Sequence, residues 1–238
     1  MFYLGRIDHL FLLPRLFAEV AMTRIVADAC RQFGSERMVL LSTTRAVNPT
    51  TVVGATRRVA ELIVGAAAGE RGVVLCGVRL SNVLGRPGSV VPVFCNQIDA
   101  GGPVKVSHPD VRRYFMLASE MVQLVLHLAG AAEPGTMYVL DMGEQINVVD
   151  LARDLVRLKG LIPDDEIAIQ FTGLAPGERL YEELANRAEV VSPSPVERIL
   201  RVRGKNPIDP VALDAQLDQL VDAALREDRD GVKIHFAQ

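Results

Sequence analysis

The hydrophobic pattern of the first third of the chain alternates between helix-like and strand-like segments. Apolar residues recur at helical spacing over residues 16–33, and Gly34 ends this predicted helix. Residues 38–41 and 73–78 are short, continuous apolar runs that predict buried strands, and residues 50–68 predict a helix between them. Continuous apolar strands separated by helices indicate a parallel sheet that is covered on both faces.

The pattern changes after residue 82, where shorter elements follow one another. It predicts helices at 90–98, 117–129, 148–159 and 210–226, strands at 104–106, 137–140 and 167–171, and a Ser-Pro-Ser-Pro linker at 192–195. We therefore predict an α/β fold with a partial Rossmann-like parallel sheet and a smaller C-terminal substrate-binding region. Residues 1–82 form the C-terminal part of a Rossmann-like nucleotide-binding domain. Residues 83–190 form the substrate-binding region, with some segments returning to the sheet, and residues 191–238 form the linker and a C-terminal helix.

Composition narrows the classes of function. The chain has 238 residues, of which 49% are hydrophobic, enough for one or two domains with a sizeable core. Its 26 basic and 29 acidic residues give a net charge of −3 without a basic stripe, so we expect no nucleic-acid partner. No apolar run reaches about 18 residues and no signal peptide is recognisable, so we expect no membrane span.

The cysteine and histidine residues do not indicate a metal or redox site. Cys30, Cys76 and Cys95 are far apart and form no Cys-x-x-Cys motif, which favours small buried side chains in a reduced, cytoplasmic protein over reactive thiols. His108 is interpreted as a turn residue rather than an acid or base, and no set of metal-ligating residues has the required spacing.

A dinucleotide-binding sheet normally opens with a glycine-rich turn before a helix whose N-terminus holds the pyrophosphate. The first 40 residues contain no such turn. The nearest alternative, residues 85–89 (Gly-Arg-Pro-Gly-Ser), lacks the third glycine and a suitably spaced acidic residue, and an ordinary or substrate-contacting loop is the favoured interpretation.

Several blocks of sequence, in matching order, carry a specific resemblance. Residues 42–61 read STTRAVNPTTVVGATRRVAE, residues 79–85 read RLSNVLG, residues 113–116 read RYFM and residues 172–184 read TGLAPGERLYEEL. These blocks resemble the polysaccharide-biosynthesis branch of the extended short-chain dehydrogenases/reductases, which includes UDP-N-acetylglucosamine 4,6-dehydratases and related NDP-sugar epimerases. The resemblance extends over roughly residues 38–190.

The resemblance implies catalytic positions that are mostly substituted in this chain. In the family a Tyr-xxx-Lys pair and a Ser/Thr act with NAD(P), and an Asp-Lys pair serves the later dehydratase steps. Thr43 retains the Ser/Thr position, whereas Thr44 and Arg45 stand for Asp and Lys. Val53 stands for Tyr, or for Met in some membrane-bound members, and Arg57 stands for the active-site Lys that binds the nicotinamide ribose.

These substitutions remove proton-transfer groups. Valine has no proton to exchange, threonine is not a carboxylate, and arginine does not release its proton near neutral pH. Loss of a positioned acid or base typically lowers a rate by about 10²–10⁴. The chain prefers arginine to lysine in general, since its only lysines are Lys105, Lys159, Lys205 and Lys233. This preference accounts for Arg45 and Arg57 but not for Val53 or Thr44.

The resemblance also implies binding residues. Besides Arg57, it places Leu80 and Ser81 beside the cofactor. Asn82 would contact the sugar diphosphate, residues 89–92, including Ser89, Val90 and Pro92, would line the nucleotide site, and the cation of Arg113 would face the diphosphate. Glu178 belongs to the uridine-side loop, although Ala175 replaces the family's arginine there.

We therefore expect a member of the UDP-sugar dehydratase/epimerase family that serves surface-polysaccharide biosynthesis. We expect it to be N-terminally truncated and catalytically degenerate, and we do not expect tight binding of NAD(P). The truncation hypothesis is that the glycine loop and first three strands are missing. Two alternatives remain open: a non-catalytic partner of a full-length paralogue, and an inactive gene remnant. A homo-oligomer, or a hetero-oligomer with a complete paralogue, is compatible with the first two hypotheses.

Overall fold

The computed structural model of the protein describes residues 16–67, 72–86, 88–206, 208–228 and 231–232. The helices are α1 (Met22–Gln32, after a π-helical turn at Phe17–Ala21), α2 (Val52–Ala66), α3 (Val90–Asp99), α4 (Ala118–Ala131), α5 (Val148–Leu158) and α6 (Pro210–Leu225). The strands are β1 (Arg37–Thr43), β2 (Val74–Leu80), β3 (Asn82–Leu84), β4 (Val104–Val106), β5 (Arg112–Arg113), β6 (Phe115–Leu117), β7 (Thr136–Leu140), β8 (Ile146–Asn147), β9 (Ile169–Phe171), β10 (Glu189–Pro193) and β11 (Ile199–Gly204).

The chain divides into two compact units. The sheet unit comprises residues 1–80, 124–141 and 183–238, and the insert unit comprises residues 81–123 and 142–182. Both units are therefore discontinuous in sequence. Segments 124–141 and 183–190 lie within the predicted substrate-binding region, and the structure places them in the sheet unit.

The sheet unit is built on one five-stranded sheet with the strand order β1-β2-β7-β11-β10. Strands β1, β2 and β7 run parallel, and β11 and β10 continue the sheet in antiparallel pairings. All five residues of β7 are buried, which agrees with the continuous apolar run that predicts a strand covered on both faces. The prediction of an α/β fold with a partial parallel sheet is confirmed, whereas the two antiparallel strands were not predicted.

The prediction of a linker at residues 192–195 is wrong for its first half. Ser192 and Pro193 belong to β10, where they pair with Arg201 and Leu200 of β11. The strand tolerates a proline because β10 is at the edge of the sheet, where a missing N–H need not break a central ladder.

Helix α2 covers the sheet and contributes to two hydrophobic clusters. Val64 packs with Met137, Val139 and Val202 of the sheet, and Ile63 packs in a cluster that includes residues of α6. Burying one such side chain contributes roughly 1.5–3 kcal/mol relative to leaving it exposed. These contacts fix α2 within the sheet unit, and with it the segment that resembles a catalytic helix.

The insert unit has its own hydrophobic core between α3, α5 and the parallel pair β4–β9. Asn147 is the N-cap of helix α5, and its side chain accepts hydrogen bonds from the N–H groups of Val149 and Asp150. There are two further short ladders, β3 parallel to β6 and β5 antiparallel to β8. They include Asn82 and Arg113, which the family resemblance assigns to sugar-nucleotide binding.

Candidate functional site

The turn after β1 holds the first predicted catalytic residues. The hydroxyl of Thr43 accepts a hydrogen bond from the N–H of Arg45 at 3.3 Å and so caps a 3₁₀ turn over Thr44–Ala46. Thr44 is 3% exposed, and its Oγ1 has no hydrogen-bond partner among the residues that the structure describes. Arg45 is exposed. The turn lies at the carboxyl end of a parallel strand, which is where open α/β sheets carry their ligand sites.

The N-terminus of α2 packs against this turn through Gly54. A β carbon on Gly54 would overlap the carbonyl oxygen of Arg45 and come within 3.1 Å of the Pro49 side chain. The N–H of Gly54 also donates to the hydroxyl of Thr51, which caps the helix. Glycine is thus required here by close packing, and the turn and helix form one connected piece.

The two positions on α2 that resemble a Tyr-xxx-Lys pair offer no acid/base chemistry. Val53 is half-buried and apolar. The guanidinium of Arg57 is engaged within the sheet unit, with its Nε 2.7 Å from a carboxylate oxygen of Glu19 and its Nη1 donating to the carbonyl of Leu41 at 2.6 Å. Leu80 ends β2 and pairs with Thr43 in the ladder. Two donors of the Arg57 guanidinium, Nε and Nη1, are thus engaged by other residues in the part of the chain that the structure describes.

A buried ion-pair network lies behind α2, and sequence reasoning missed it. Arg79 is fully buried and its Nη2 lies 2.7 Å from Glu61 and 2.7 Å from Glu189. Arg58 contacts both carboxylates, at 3.0 and 2.7 Å, and the hydroxyl of Ser42 donates to Glu61 at 2.6 Å. Such a network fixes β2, α2 and β10 together, because each charge is costly to bury without its partners.

The network also sets the protonation of its members. Burial opposes ionisation of Glu189, but hydrogen bonds and charge from Arg79, with further help from the N–H of Asn186 and from Arg58, lower the pKa of Glu189 to about 2. Burial alone would lower the pKa of Arg79, but its bonds to Glu189 and Glu61 raise it above the ordinary value. Glu189 and Arg79 are therefore both ionised near neutral pH.

A cavity of about 740 Å³ opens beside this network, within the sheet unit. Its lining includes Arg58, Glu189 and the strand residue Thr136. Thr136 is the first residue of β7 and pairs near the start of β2, whereas Thr43 pairs with the last residue of β2. The cavity is thus at the opposite end of the parallel strands from the predicted catalytic turn.

In the insert unit, the structure brings together two predicted binding residues. Arg113 Nη2 donates to Glu178 Oε1 at 2.9 Å, and the hydroxyl of Ser107 donates to the same oxygen at 2.8 Å. The other oxygen of Glu178 accepts from the N–H of Ala175 at 3.1 Å. The Arg113 and Glu178 side chains are only partly exposed, at 16% and 26%. This contact holds the uridine-side loop implied by the resemblance against β5.

Helix α3 begins at the predicted binding residues Ser89, Val90 and Pro92. Ser89 is in the N-cap position, but its hydroxyl makes no capping bond, and its Oγ is buried with no partner in the described part of the chain. Val90 and Pro92 are half-buried in the first turn. The first turn of this helix therefore has N–H groups that the side chain at its N-cap does not bond.

Ser81 and Asn82 converge on a residue that sequence reasoning did not select. The Glu182 carboxylate accepts from Ser81 Oγ at 2.5 Å, from Asn82 Nδ2 at 3.2 Å and from the N–H of Tyr114 at 3.0 Å. Glu182 is in the YEEL block, which is part of the resemblance. Its contacts with residues 81, 82 and 114, however, cannot be predicted from that block, because those residues are distant in sequence.

No group of three or more His, Cys, Asp or Glu side chains is placed to hold a metal ion among the residues that the structure describes. Cys76 is buried, and burial raises the pKa of its thiol to about 11 even though Arg37 acts to lower it. Cys30 and Cys95 are half-buried free thiols. No helix in the described ranges is long and apolar enough to cross a membrane.

The parallel sheet, the turn after its first strand and the helix that follows define an α/β protein of the Rossmann type. A solved structure with the same fold is UDP-N-acetylglucosamine 4-epimerase from Methanobrevibacter ruminantium M1, in complex with UDP-N-acetylmuramic acid. It superposes with a TM-score of 0.62 and 15% identity over 89% of this chain and 70% of that one. At this identity the likeness establishes the fold alone.

The sequence profile of the family described as "Polysaccharide biosynthesis protein" matches residues 12–204, and the chain belongs to this family. The chain is 43% identical over 180 residues to the capsular polysaccharide biosynthesis protein CapD of Staphylococcus aureus, covering 75% of this chain and 30% of that protein. It is 45% identical over 168 residues to the probable polysaccharide biosynthesis protein EpsC of Bacillus subtilis (strain 168), covering 71% and 28%. The chain thus matches less than a third of the length of each of these two relatives. The resemblance to the polysaccharide-biosynthesis branch is confirmed.

Proposed function

We propose that the insert unit binds a UDP-sugar, and that the chain is a catalytically degenerate member of the NDP-sugar dehydratase/epimerase class in polysaccharide biosynthesis. The observation that carries the proposal is the contact between Arg113 and Glu178, which holds an arginine of low exposure in the insert unit. A fixed guanidinium is suited to recognition of a diphosphate. The solved epimerase that shares this fold was obtained with UDP-N-acetylmuramic acid, which supports a UDP-sugar as the ligand class.

The catalytic half of the proposal rests on the sheet unit. Val53 supplies no proton, Thr44 is buried and not a carboxylate, and Arg57 is held by Glu19. A guanidinium with a pKa above about 12 does not act as an acid near neutral pH. Residues for binding are therefore retained where residues for proton transfer are replaced, which favours a binding role.

A binding role without chemistry implies a partner that performs the chemistry. We propose a complete paralogue as that partner, in a hetero-oligomer in which this chain binds UDP-sugar. Three free cysteines and a nucleotide-sugar ligand support a cytoplasmic location. An inactive gene remnant is the competing hypothesis, and it requires no ligand affinity.

Calorimetric titration of the purified chain with UDP-N-acetylglucosamine tests the binding role. We expect measurable binding that Arg113→Ala weakens at least fivefold, since a charge-assisted hydrogen bond to a phosphate is worth about 1.5–3 kcal/mol. Arg112→Ala is the matched control, because Arg112 is exposed on the same short strand. Absence of binding by the folded wild-type chain contradicts the proposal, as does an equal loss in the two variants.

The degenerate role has its own test. The combined substitutions Thr44→Asp, Arg45→Lys, Val53→Tyr and Arg57→Lys restore the side chains that the family has at these positions. We expect no 4-keto-6-deoxy sugar from the unmodified chain incubated with UDP-N-acetylglucosamine and NAD(P), because loss of a positioned acid or base lowers a rate by about 10²–10⁴, and any product should come from the quadruple variant. Turnover by the unmodified chain would overturn the proposed loss of catalysis.

A further inference from the structure

The carboxylate of Glu182 is the centre of a polar cluster in the insert unit. It accepts from a hydroxyl, from a side-chain amide and from a backbone N–H, contributed by Ser81, Asn82 and Tyr114. An ionised carboxylate with several donors in fixed positions is a strong acceptor. The cluster joins residue 182 to strands β3 and β6, which pair through Asn82 and Phe115.

The main chain of Glu182 is fixed as firmly as its side chain. Its N–H donates to Gln145 Oε1 at 3.0 Å, and its carbonyl accepts from Gln145 Nε2 at 3.0 Å. This reciprocal pair uses both polar atoms of the Gln145 amide. The carboxylate therefore has a defined position, and neither end of residue 182 is free to rotate.

That position determines how the amide of Asn82 is oriented. Its Nδ2 faces Glu182 Oε1 at 3.2 Å and the carbonyl oxygen of Tyr114 at 3.1 Å. Nδ2 also lies 3.1 Å from Ser81 Oγ, whose proton goes to Glu182. Rotating the amide by half a turn would therefore place Oδ1 against three oxygens that have no proton to donate to it. The nitrogen of Asn82 is thus committed to the protein, and its Oδ1 accepts no hydrogen bond from any residue that the structure describes.

We propose that Glu182 is a positioning residue which makes Asn82 present a hydrogen-bond acceptor to the ligand, and that this acceptor selects a donor group on the sugar. The inference rests on the proposed UDP-sugar function and specifies that the sugar donates, and Asn82 accepts, the hydrogen bond between them. Ring hydroxyls and the N–H of an acetamido group are donors of this kind. The Glu182–Asn82 pair then favours sugars that carry a hydroxyl or an acylamino N–H at the ring position facing Asn82 Oδ1.

This assignment differs from the expectation that Asn82 contacts the diphosphate. The oxygens of an ionised diphosphate are acceptors, and two acceptors without a proton between them repel. The negative charge on Glu182 beside the amide adds to that repulsion. Asn82 would serve a phosphate only through Nδ2, and the geometry commits Nδ2 to Glu182 and Tyr114.

Binding of UDP and of UDP-N-acetylglucosamine separates the two roles. We expect Asn82→Ala to weaken UDP-N-acetylglucosamine about three- to tenfold, the loss of one hydrogen bond, and to leave UDP affinity within twofold. Glu182→Gln should produce the same pattern, and the double variant should lose no more than either single one. Glu183→Gln, which alters the adjacent exposed carboxylate, should change neither affinity.

The orientation of Asn82 is also measurable without ligand. The side-chain amide protons of Asn82, identified in a ¹⁵N spectrum by their absence in Asn82→Ala, should exchange slowly with solvent in the wild type and at least tenfold faster in Glu182→Gln. Fast exchange in the folded wild type overturns the inference whether or not any ligand binds. Equal loss of UDP and UDP-N-acetylglucosamine in Asn82→Ala also overturns it while leaving the proposed function intact, whereas failure of both ligands to bind the wild type overturns the proposed function and the ligand role together.

Discussion

The carbonyl oxygen of Arg45 approaches Gly54 so closely that a β carbon on residue 54 would overlap it. Residue 45 belongs to the turn after β1 and residue 54 to the first turns of α2. The close approach makes the geometry of the candidate catalytic turn depend on a helix residue nine positions later. It explains physically why a glycine stands in the GATRR segment.

Replacing Gly54 with alanine should therefore destabilise the protein by about 1–3 kcal/mol, since the overlapping atom belongs to the backbone and cannot rotate away. Chemical denaturation followed by circular dichroism measures the change. Gly130→Ala is the matched control, because a β carbon there meets nothing within 4 Å inside α4, and helix propensity should make it neutral or stabilising by up to about 1 kcal/mol. Equal effects of the two changes would show that the contact between residues 45 and 54 is unimportant.

Thr44→Val should leave the free energy of unfolding unchanged or raise it by about 1 kcal/mol. The hydroxyl of Thr44 is buried without a partner within the described ranges, so its removal should lose no hydrogen bond. Ser42→Ala, two positions earlier, should instead cost about 1–3 kcal/mol, because Ser42 donates to the buried Glu61. A marked loss of stability in Thr44→Val would mean that its hydroxyl has a partner in solution.

Arg79→Met should destabilise the sheet unit by about 3–5 kcal/mol, because it leaves the carboxylates of Glu61 and Glu189 buried with one guanidinium fewer. Denaturant unfolding measures the loss. Arg226→Met removes an ion pair of the same type from the surface, where the Arg226 side chain is 74% exposed, and should cost less than about 1 kcal/mol. If Arg79→Met were neutral, the ionic network would contribute no more than a hydrophobic residue of similar volume.

The pH dependence of stability should carry a signature of Glu189. Its pKa is lowered to about 2 from an ordinary value of 4.5, so the folded state favours the ionised form. The stabilisation is complete above the unfolded-state pKa and is lost as the pH falls from about 4.5 to 2. In Glu189→Gln this contribution is absent, and the difference in unfolding free energy between wild type and variant should shrink steadily over that window. A difference that stays constant down to pH 2 would contradict the lowered pKa.

The sequence predicted what depends on local pattern. Residues 38–41 and 73–78 are continuous apolar runs, and both form strands of the parallel sheet. The predicted linker at residues 192–195 overlaps the last two residues of the antiparallel strand β10, because Ser and Pro are typical of loops and the strand conformation depends on pairing with β11. Propensity is a weak guide at such an edge, since the partner strand supplies the hydrogen bonds.

In the candidate site, too, the sequence identified some residues and missed others. Block matching selected Arg113 and Glu178, and the structure places them in contact. It did not select Glu182, because the importance of that carboxylate comes from donors about 70–100 positions earlier in the chain. The engagement of Arg57 by Glu19 was equally invisible, since a substituted residue's new partner cannot be read from the family pattern.

The arrangement of β7, β11 and β10 also has a consequence for biosynthesis of the chain. Strand β11 lies between β7 and β10, and Glu189 reaches Arg79 from 110 positions further along the sequence. A ribosome releases the N-terminal end first, at about 5–20 residues per second. All residues of the insert unit have been translated by residue 182, whereas the sheet unit still lacks its two antiparallel strands at that moment. The nascent sheet therefore lacks the second carboxylate of Arg79 until translation has passed residue 189, and lacks the strand that joins β10 to β7 until it has passed residue 204.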